Sequence, residues 1–257
     1  RERAEETDEL RNQTILVQGV LNLGPVDVVV DFAEAHGLSL MGTPLVWHLV
    51  LPAWVNNAMT PAALESALTT RIQTLLGLYG DRVDSWVVVN EAFTDQGTLR
   101  PSIFLQKLGS GYIAQAFHLA RAADPDALLF INDYLIEQAG AKSDALYALV
   151  VDLLGQGVPI DGVGFQMHTG GVFGFFGGIP SKQAVQANIQ RFTDLGLVVR
   201  FTEMDMQTTG FGFPSEPRSL KLAYQRDKYR ELVEACVETP GCIGVHFCGF
   251  TGKHTWI

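Results

Sequence analysis

Two glutamates, Glu91 and Glu203, each end an apolar segment that is typical of a buried strand. Glu91 follows residues 87–90, and Glu203 follows residues 198–202 far downstream. An apolar run that stops at an amide or a carboxylate is typical of a strand whose last residues reach a functional site. A single glutamate at a strand end is more often a solvated or salt-bridged residue than a catalytic one. Because two of them occur in matching contexts, a catalytic role is as good an interpretation as a structural one. Such a pair could carry acid/base or nucleophilic chemistry.

These two segments belong to an alternation of predicted strands and helices. Thr60 followed by Pro61 supplies an N-cap hydroxyl and a favourable first helical residue, so a helix is predicted from there to Gly80. Six strands are predicted, at residues 38–47, 87–91, 128–131, 163–168, 198–203 and 243–247. The other helices are predicted at residues 25–36, 101–123 with an interruption near 109–111, 143–154, 181–195 and 218–237.

Nearly every predicted strand ends in polar or aromatic residues. These are Trp47 and His48, Asn90 and Glu91, Asn132 and Asp133, Gln166 and His168, and Glu203. Alternating strands and helices of this length require a parallel sheet with right-handed crossovers. In a closed β/α barrel all strand ends converge on one rim, whereas in an open doubly wound sheet only the strands beside the switch point need such residues. The distribution therefore favours an α/β fold of the closed-barrel type.

The composition is that of a globular protein with a sizeable core. Of the 257 residues, 47% are apolar and 18% are charged. The net charge of −10, with no Lys/Arg cluster, argues against nucleic acid and against a membrane surface as partners. No apolar run reaches the roughly 18 residues of a membrane span. Residues 1–13 are too charged for a signal peptide, although a signal removed earlier is compatible with them. No nucleotide-binding glycine motif is present.

The three cysteines leave two interpretations open. Cys236 and Cys242 flank a turn-forming segment, and a disulfide between them would close a small loop and indicate an oxidising compartment. Composition alone favours reduced, unpaired thiols, because three cysteines is an ordinary number for a chain of this length.

Glu91 and Glu203 together meet the requirement of glycoside hydrolysis. That reaction needs one protonated carboxyl to help the leaving oxygen depart and one ionised carboxylate to attack the anomeric carbon or to activate water. Asn90 could bind a sugar hydroxyl. Trp47 and Trp54, which we expect to be exposed, could offer flat apolar faces to pyranose rings.

Several segments carry a resemblance to a known family. They are residues 45–48 with 51–55, residues 86–93, residues 131–134, residues 159–168 and residues 202–205. In order and spacing, over nearly the whole chain, these segments resemble the signature blocks of glycoside hydrolase family 10, the retaining β-1,4-xylanases. The resemblance implies a single (β/α)8 TIM barrel over residues 1–257, with the first strand and helix and the last helix missing from the chain. It implies no metal and no cofactor.

The resemblance also implies roles for individual residues. Glu91 matches the family's acid/base, Glu203 matches its nucleophile, and Asn90 matches the asparagine that holds the sugar's 2-hydroxyl. Further sugar contacts are implied for Trp47, His48, Gln166, His168 and Trp256. Asp205 and Tyr134 are expected to lie behind these side chains, with Asp205 as a partner of His168.

Other implications concern the cysteines and two departures from the family pattern. The resemblance implies a disulfide between Cys236 and Cys242, as in secreted members, and therefore a secreted protein. Thr43 stands where a sugar-contacting histidine is usual, and Cys248 stands where a tryptophan usually packs over the reacting sugar. Losing both contacts weakens transition-state binding by on the order of a few kcal/mol unless other groups compensate.

Three functions follow as hypotheses. The first is a monomeric, retaining, endo-acting β-1,4-glycosidase that hydrolyses xylan or a related plant polysaccharide by double displacement. The alternative is a catalytically weak carbohydrate-binding barrel, or a glycosidase with altered sugar specificity at the reacting subsite; Thr43 and Cys248 favour it. A lyase or isomerase on the same barrel would need phosphate or metal ligands that the sequence does not show.

Overall fold

The computed structural model describes residues 22–42, 44–170, 178–208 and 217–249. Within these ranges seven parallel strands form one sheet: β1 Met41–Gly42, β2 Ser85–Asn90, β3 Leu128–Asp133, β4 Gly162–Phe165, β5 His168–Gly170, β6 Val198–Gln207 and β7 Cys242–Phe247. The α-helices are α1 Gly24–Ala35, α2 Pro61–Tyr79, α3 Ile103–Leu108, α4 Tyr112–Ala123, α5 Ala141–Gly155, α6 Lys182–Thr193 and α7 Arg218–Val237, with a 3-10 turn at Gly80–Arg82. The predicted alternation of strands and helices is confirmed.

The strands neighbour one another in chain order. The path runs β1, β2, β3, β4, β6, and β7 pairs with the far side of β6. No reversal of order occurs along this path, so the sheet has no switch point of the doubly wound kind. This order, with parallel pairing throughout, is that of a β/α barrel wall.

The fourth predicted strand is broken into β4 and β5, which is why seven strands are observed and not six. Both parts pair with β6, Gly162 to Phe165 in its first half and His168 to Gly170 in its second. Met167, between them, has a φ of 62°. That left-handed conformation turns the backbone out of the ladder for two residues before pairing resumes.

The helix α2 begins and ends where the sequence predicts. The Thr60 hydroxyl accepts a hydrogen bond from the Ala63 N–H at 3.2 Å, which satisfies one of the free donors of the first turn. Its apolar stripe is buried in the hydrophobic core: Leu64, Leu68, Ile72, Leu75, Leu76 and Tyr79. The helix packs beside α4.

The predicted interruption near residues 109–111 is also confirmed. The helix α3 ends at Leu108, and Gly109 has a φ of 72°, a conformation that glycine adopts without a steric cost. Tyr112 then starts α4, and its ring stacks on Phe104 of α3 at a centroid distance of 5.8 Å. The two helices are therefore joined by packing across the break.

The predicted strand at residues 38–47 forms only in part. Met41 and Gly42 pair with β2, and Val46 makes an isolated bridge to Val89. Pro44 has no N–H to donate, which interrupts the ladder between these two stretches. A β-carbon on Gly42 would lie 2.1 Å from the Trp86 ring, so only glycine fits there.

A disulfide joins the end of α7 to the start of β7. Cys236 and Cys242 are bonded, as the family resemblance implies, with their Cα atoms 5.2 Å apart. Closing this small loop restricts the unfolded chain and contributes about 2 kcal/mol to stability. Among the helices described here, none combines the length and the apolar character that crossing a lipid bilayer requires.

Candidate active site

The carboxyl ends of β2, β3 and β4 deliver polar side chains to one rim, where the middle of β6 adds Glu203. The prediction that a strand ends at Glu203 is wrong, because β6 continues to Gln207 by pairing with β5. Asn90 pairs with Asn132 across β2 and β3. The N–H of Glu91 donates to the Asn132 carbonyl at 2.9 Å, and the N–H of Glu203 donates to the Gln166 carbonyl at 3.1 Å. The register of the parallel strands therefore places all five residues together.

The two glutamates are joined by a chain of side-chain hydrogen bonds. Gln166 Nε2 lies 3.2 Å from Glu91 Oε1 and 3.2 Å from Asn90 Oδ1. Asn132 Nδ2 donates to the same Asn90 oxygen at 2.8 Å and to Glu203 Oε1 at 2.9 Å. Both carboxylates consequently face amide donors within one buried network. Such a network fixes the side chains relative to one another, because each member is held by its neighbours.

His168 lies between two carboxylates. Its Nδ1 is 2.8 Å from Asp205 Oδ1, and its Nε2 is 3.6 Å from Glu203 Oε2. Burial disfavours the charged ring, but the hydrogen bonds and negative charges of Asp205 and Glu203 outweigh burial and raise the pKa of His168 to about 9. The ring therefore carries a positive charge beside Glu203 at neutral pH and donates from both nitrogens.

This raised pKa predicts a dependence of stability on pH. The folded state holds the His168 proton more tightly than the unfolded chain does, so the stabilisation is complete below pH 6.5 and is lost as the pH rises through 9. The loss is on the order of 3 kcal/mol. Urea unfolding of the wild type and of His168→Gln, from below pH 6.5 to above pH 9, measures this loss. The free energy of unfolding of the wild type should approach that of the variant as the pH rises.

The exposed His118 provides the control for this prediction. His118→Gln removes an imidazole far from the site and so controls for the loss of a histidine as such. A difference in unfolding free energy between the wild type and His168→Gln that does not change between pH 6.5 and 9 would contradict the protonated His168.

Trp47 and His48, two of the predicted sugar contacts, follow directly after Val46, which bridges to β2. His48 is half-buried, and burial, followed by the positive charges of Arg100 and Lys142, lowers its pKa to about 4. Its ring is therefore neutral at neutral pH, in contrast to His168. Trp47 packs edge-on against His48 with ring centroids 6.3 Å apart.

The expectation that Trp47 and Trp54 are exposed is wrong. Both are half-buried, and together they line an apolar cavity of about 90 Å³. Leu51 and Pro52 of the intervening loop line the same cavity. Part of each indole surface remains accessible to a ligand.

Two of the singled-out positions, Thr43 and Trp256, lie outside the described residues. Cys248 is half-buried, and its N–H donates to the carbonyl of Met204 at 3.1 Å, which places it next to Glu203 along β6. Within the described ranges, no three His, Cys, Asp or Glu side chains are grouped as metal ligands.

Three further residues contact this site and were not predicted as part of it. Asn132 bridges Asn90 and Glu203, although its position at a strand end was a usable signal. Arg100 donates from Nε to the Glu91 carbonyl at 3.0 Å and from Nη2 to the Tyr134 hydroxyl at 3.0 Å. Lys142 Nζ lies 3.2 Å from the centroid of the Tyr134 ring. The last two come from a loop and a helix, where no local pattern marks them.

Comparison with known proteins agrees with this architecture. The sequence model described as glycosyl hydrolase family 10 matches residues 7–257. Endo-1,4-beta-xylanase A of Phanerodontia chrysosporium is 38% identical over 241 residues, which cover 93% of this chain and 56% of that protein. The chain thus spans a little over half the length of this relative.

Solved structures show the same fold. Xylanase 10B from Thermotoga petrophila RKU-1, in complex with xylobiose, superposes with a TM-score of 0.88 at 34% identity, covering 97% of this chain and 74% of that one. An intracellular xylanase from Thermoanaerobacterium saccharolyticum superposes with a TM-score of 0.85 at 31% identity, covering 96% and 78%. The (β/α)8 barrel prediction is confirmed by these matches, and the chain belongs to glycosyl hydrolase family 10.

Proposed function

We propose that this protein is a retaining, endo-acting glycosidase that hydrolyses β-1,4-xylan. The observation that carries the proposal is the hydrogen-bond chain from Glu91 through Gln166, Asn90 and Asn132 to Glu203, found in a member of glycosyl hydrolase family 10. Two carboxyl groups that face one another across a shared network can act on opposite sides of one glycosidic bond.

In the first step Glu203 is the nucleophile and Glu91 is the general acid. A carboxylate oxygen of Glu203 forms a bond to the anomeric carbon while the bond from that carbon to the glycosidic oxygen breaks. The proton of the Glu91 carboxyl moves to the departing oxygen, so the leaving sugar departs as a neutral alcohol. The products are a glycosyl ester on Glu203 and an ionised Glu91.

In the second step water attacks the glycosyl ester, and Glu91 acts as a general base. Glu91, now ionised, takes a proton from a water molecule while the water oxygen forms a bond to the anomeric carbon. The ester bond to Glu203 breaks and returns its electron pair to the carboxylate. Two inversions at the same carbon leave the β configuration unchanged, and both glutamates return to their starting protonation states.

The neighbouring residues prepare Glu203 for this chemistry. Asn132 donates to one of its oxygens, and the positively charged His168 lies 3.6 Å from the other. These contacts favour the ionised form that attacks, and they stabilise the carboxylate again when the ester breaks. Asn90, whose Oδ1 accepts two hydrogen bonds, is held in place to bind the sugar's 2-hydroxyl through Nδ2.

We further propose that Trp47, His48, Gln166 and His168 line the sugar-binding rim, and that Trp256 joins them. The Thr43 and Cys248 positions set how much room the reacting sugar has. The protein is secreted and acts as a monomer, and the disulfide between Cys236 and Cys242 supports an oxidising compartment.

The test compares the wild type with Glu203→Ala on xylo-oligosaccharides, mixed-linkage glucans and aryl β-glycosides. We expect the wild type to release xylo-oligosaccharides from xylan and to prefer β-1,4-xylosides over glucans. If wild type and variant were equally inactive on every substrate while still binding glycans, the protein would be a carbohydrate-binding barrel and the proposal would fail.

A further inference from the structure

The backbone that carries Glu91 is in an uncommon conformation. Glu91 has a φ of 54°, in the left-handed region that a residue with a side chain adopts only when its surroundings hold it there. Arg100 holds the carbonyl groups on both sides of Ala92: Nε donates to the Glu91 carbonyl at 3.0 Å and Nη2 donates to the Phe93 carbonyl at 2.7 Å. The turn from Glu91 to Phe93 is therefore held from one side by a guanidinium.

A second contact holds the same turn from β3. Asp133 is fully buried, and its Oδ2 accepts a hydrogen bond from the Phe93 N–H at 3.2 Å. Its Oδ1 accepts from the Tyr134 N–H at 2.9 Å and lies 2.8 Å from Lys142 Nζ. The Phe93 N–H, the Tyr134 N–H and the Lys142 ammonium group are all donors, so these contacts favour the ionised form of the carboxyl.

Lys142 supplies the charge that keeps Asp133 ionised. Burial raises the pKa of Asp133 to about 6, and the charge and hydrogen bond of Lys142 oppose that rise. The Lys142 side chain is itself only 2% exposed and comes from α5, where it also lies 3.7 Å from Asp95. Without Lys142, Asp133 would take up a proton and turn an O–H toward a donor.

A buried ion pair is weak evidence for a role in stability. Replacing such a pair by well-packed apolar residues is often neutral or stabilising, because desolvation offsets the attraction. The pair here instead reaches the catalytic backbone through one hydrogen bond to Phe93, two residues from Glu91. The neighbouring residue Asn132 on the same strand points the other way and contacts Glu203.

We propose that the buried Lys142–Asp133 ion pair is a positioning device, which holds the Glu91–Phe93 turn so that the Glu91 carboxyl reaches the glycosidic oxygen. This inference rests on the proposed glycosidase function and adds two positioning residues to it. Neither side chain touches the sugar; both act through the backbone of the turn. Their loss therefore impairs proton transfer by Glu91 and leaves attack by Glu203 intact.

The test uses two substrates that differ in their need for a proton donor. Xylotetraose has a poor leaving group, whereas 2,4-dinitrophenyl β-xylobioside releases a phenolate that needs no proton. We expect Lys142→Met to lower kcat/KM on xylotetraose by about 100-fold, with KM little changed. A loss of this size is typical when a catalytic group is misplaced. On the dinitrophenyl substrate kcat/KM should change little, and azide should raise kcat, because azide needs no general base to attack the glycosyl ester. Lys142→Arg, which keeps the charge, should restore part of the activity on xylotetraose.

The controls separate positioning from folding. Lys182→Met breaks a surface ion pair with Glu234 and Glu238 and should leave both rates unchanged. If Lys142→Met does not fold, the double variant Asp133→Asn/Lys142→Met, which buries no uncompensated charge, should show the same dependence on the leaving group. Equal losses on both substrates, or no loss on xylotetraose, would overturn the inference while the wild type remained a glycosidase. A wild type inactive on both substrates would overturn the proposed function itself, and the inference with it.

Discussion

Glu203→Ala lowers kcat on xylotetraose by at least about 10⁴-fold, the scale seen when an enzymatic nucleophile is removed. The variant has no oxygen that can form the ester with the anomeric carbon. Added azide is expected to fill the space of the lost carboxylate and to attack the same face, which gives an α-xylobiosyl azide from the dinitrophenyl substrate. Initial rates and the anomeric configuration of this azide product are the measurements.

A matched control removes a carboxylate far from the rim. Glu65, an exposed residue of α2, accepts a hydrogen bond from Gln115 and contacts none of the site residues named above. Glu65→Ala should retain the wild-type kcat. Activity of Glu203→Ala within about tenfold of the wild type would show that Glu203 is not the nucleophile.

The second large loss of activity is expected for Glu91→Ala, and unlike that of Glu203→Ala it depends on the leaving group. We expect kcat/KM on xylotetraose to fall by about 10³-fold, within the range of general acid catalysis, because the leaving sugar departs without a proton. On the dinitrophenyl substrate formation of the glycosyl ester should remain fast and its hydrolysis should become slow. Azide should then speed turnover and give a β-xylobiosyl azide, since it attacks the anomeric carbon of the Glu203 ester from the opposite face.

The configuration of the azide product assigns the two roles independently of any rate. An α-xylobiosyl azide from Glu91→Ala would show that the roles of the two glutamates are the reverse of those assigned here. Lys142→Met is expected to behave as a weaker form of Glu91→Ala, with the same dependence on the leaving group. The three variants thus distinguish loss of the nucleophile, loss of the acid/base and displacement of the acid/base.

The sequence predicts the elements where local chemistry decides the structure. Thr60 and Pro61 start α2 because the cap and the proline act within one turn, and Gly109 ends α3 because it accepts a positive φ. The strand predicted at residues 38–47 is shortened because Pro44 cannot donate to β2, a signal present in the sequence. The break between β4 and β5 at Met167 carries no such signal, since methionine does not mark a left-handed conformation.

The residues of the candidate site were likewise predictable only in part. Polar residues at the ends of strands were predicted to meet, and Asn90, Glu91, Gln166 and Glu203 do meet. Arg100 and Lys142 escaped prediction because their contacts depend on how a loop and a helix pack against β3. The strain at Glu91 escaped it too, because a φ of 54° follows from these long-range contacts and not from the Val-Asn-Glu-Ala segment.

The charges around the rim act in opposite directions on its two histidines. Burial is the main cause that lowers the pKa of His48 to about 4, and the positive charges of Arg100 and Lys142 add to it. Asp205 and Glu203 instead raise the pKa of His168 to about 9. At neutral pH the ring next to the nucleophile is thus charged and the ring on the β1 side is neutral. The nucleophile thus has a charged imidazole beside it, and the neutral His48 ring is left for contact with an uncharged sugar.

Double displacement by Glu91 and Glu203 is tested directly by the anomeric configuration of the first product. Proton NMR during rapid hydrolysis of xylotetraose resolves the α and β anomers of the new reducing end before mutarotation mixes them. Double displacement predicts that the β anomer appears first and decays slowly to the equilibrium mixture. Initial formation of the α anomer would rule out double displacement, because it would require a single displacement by water.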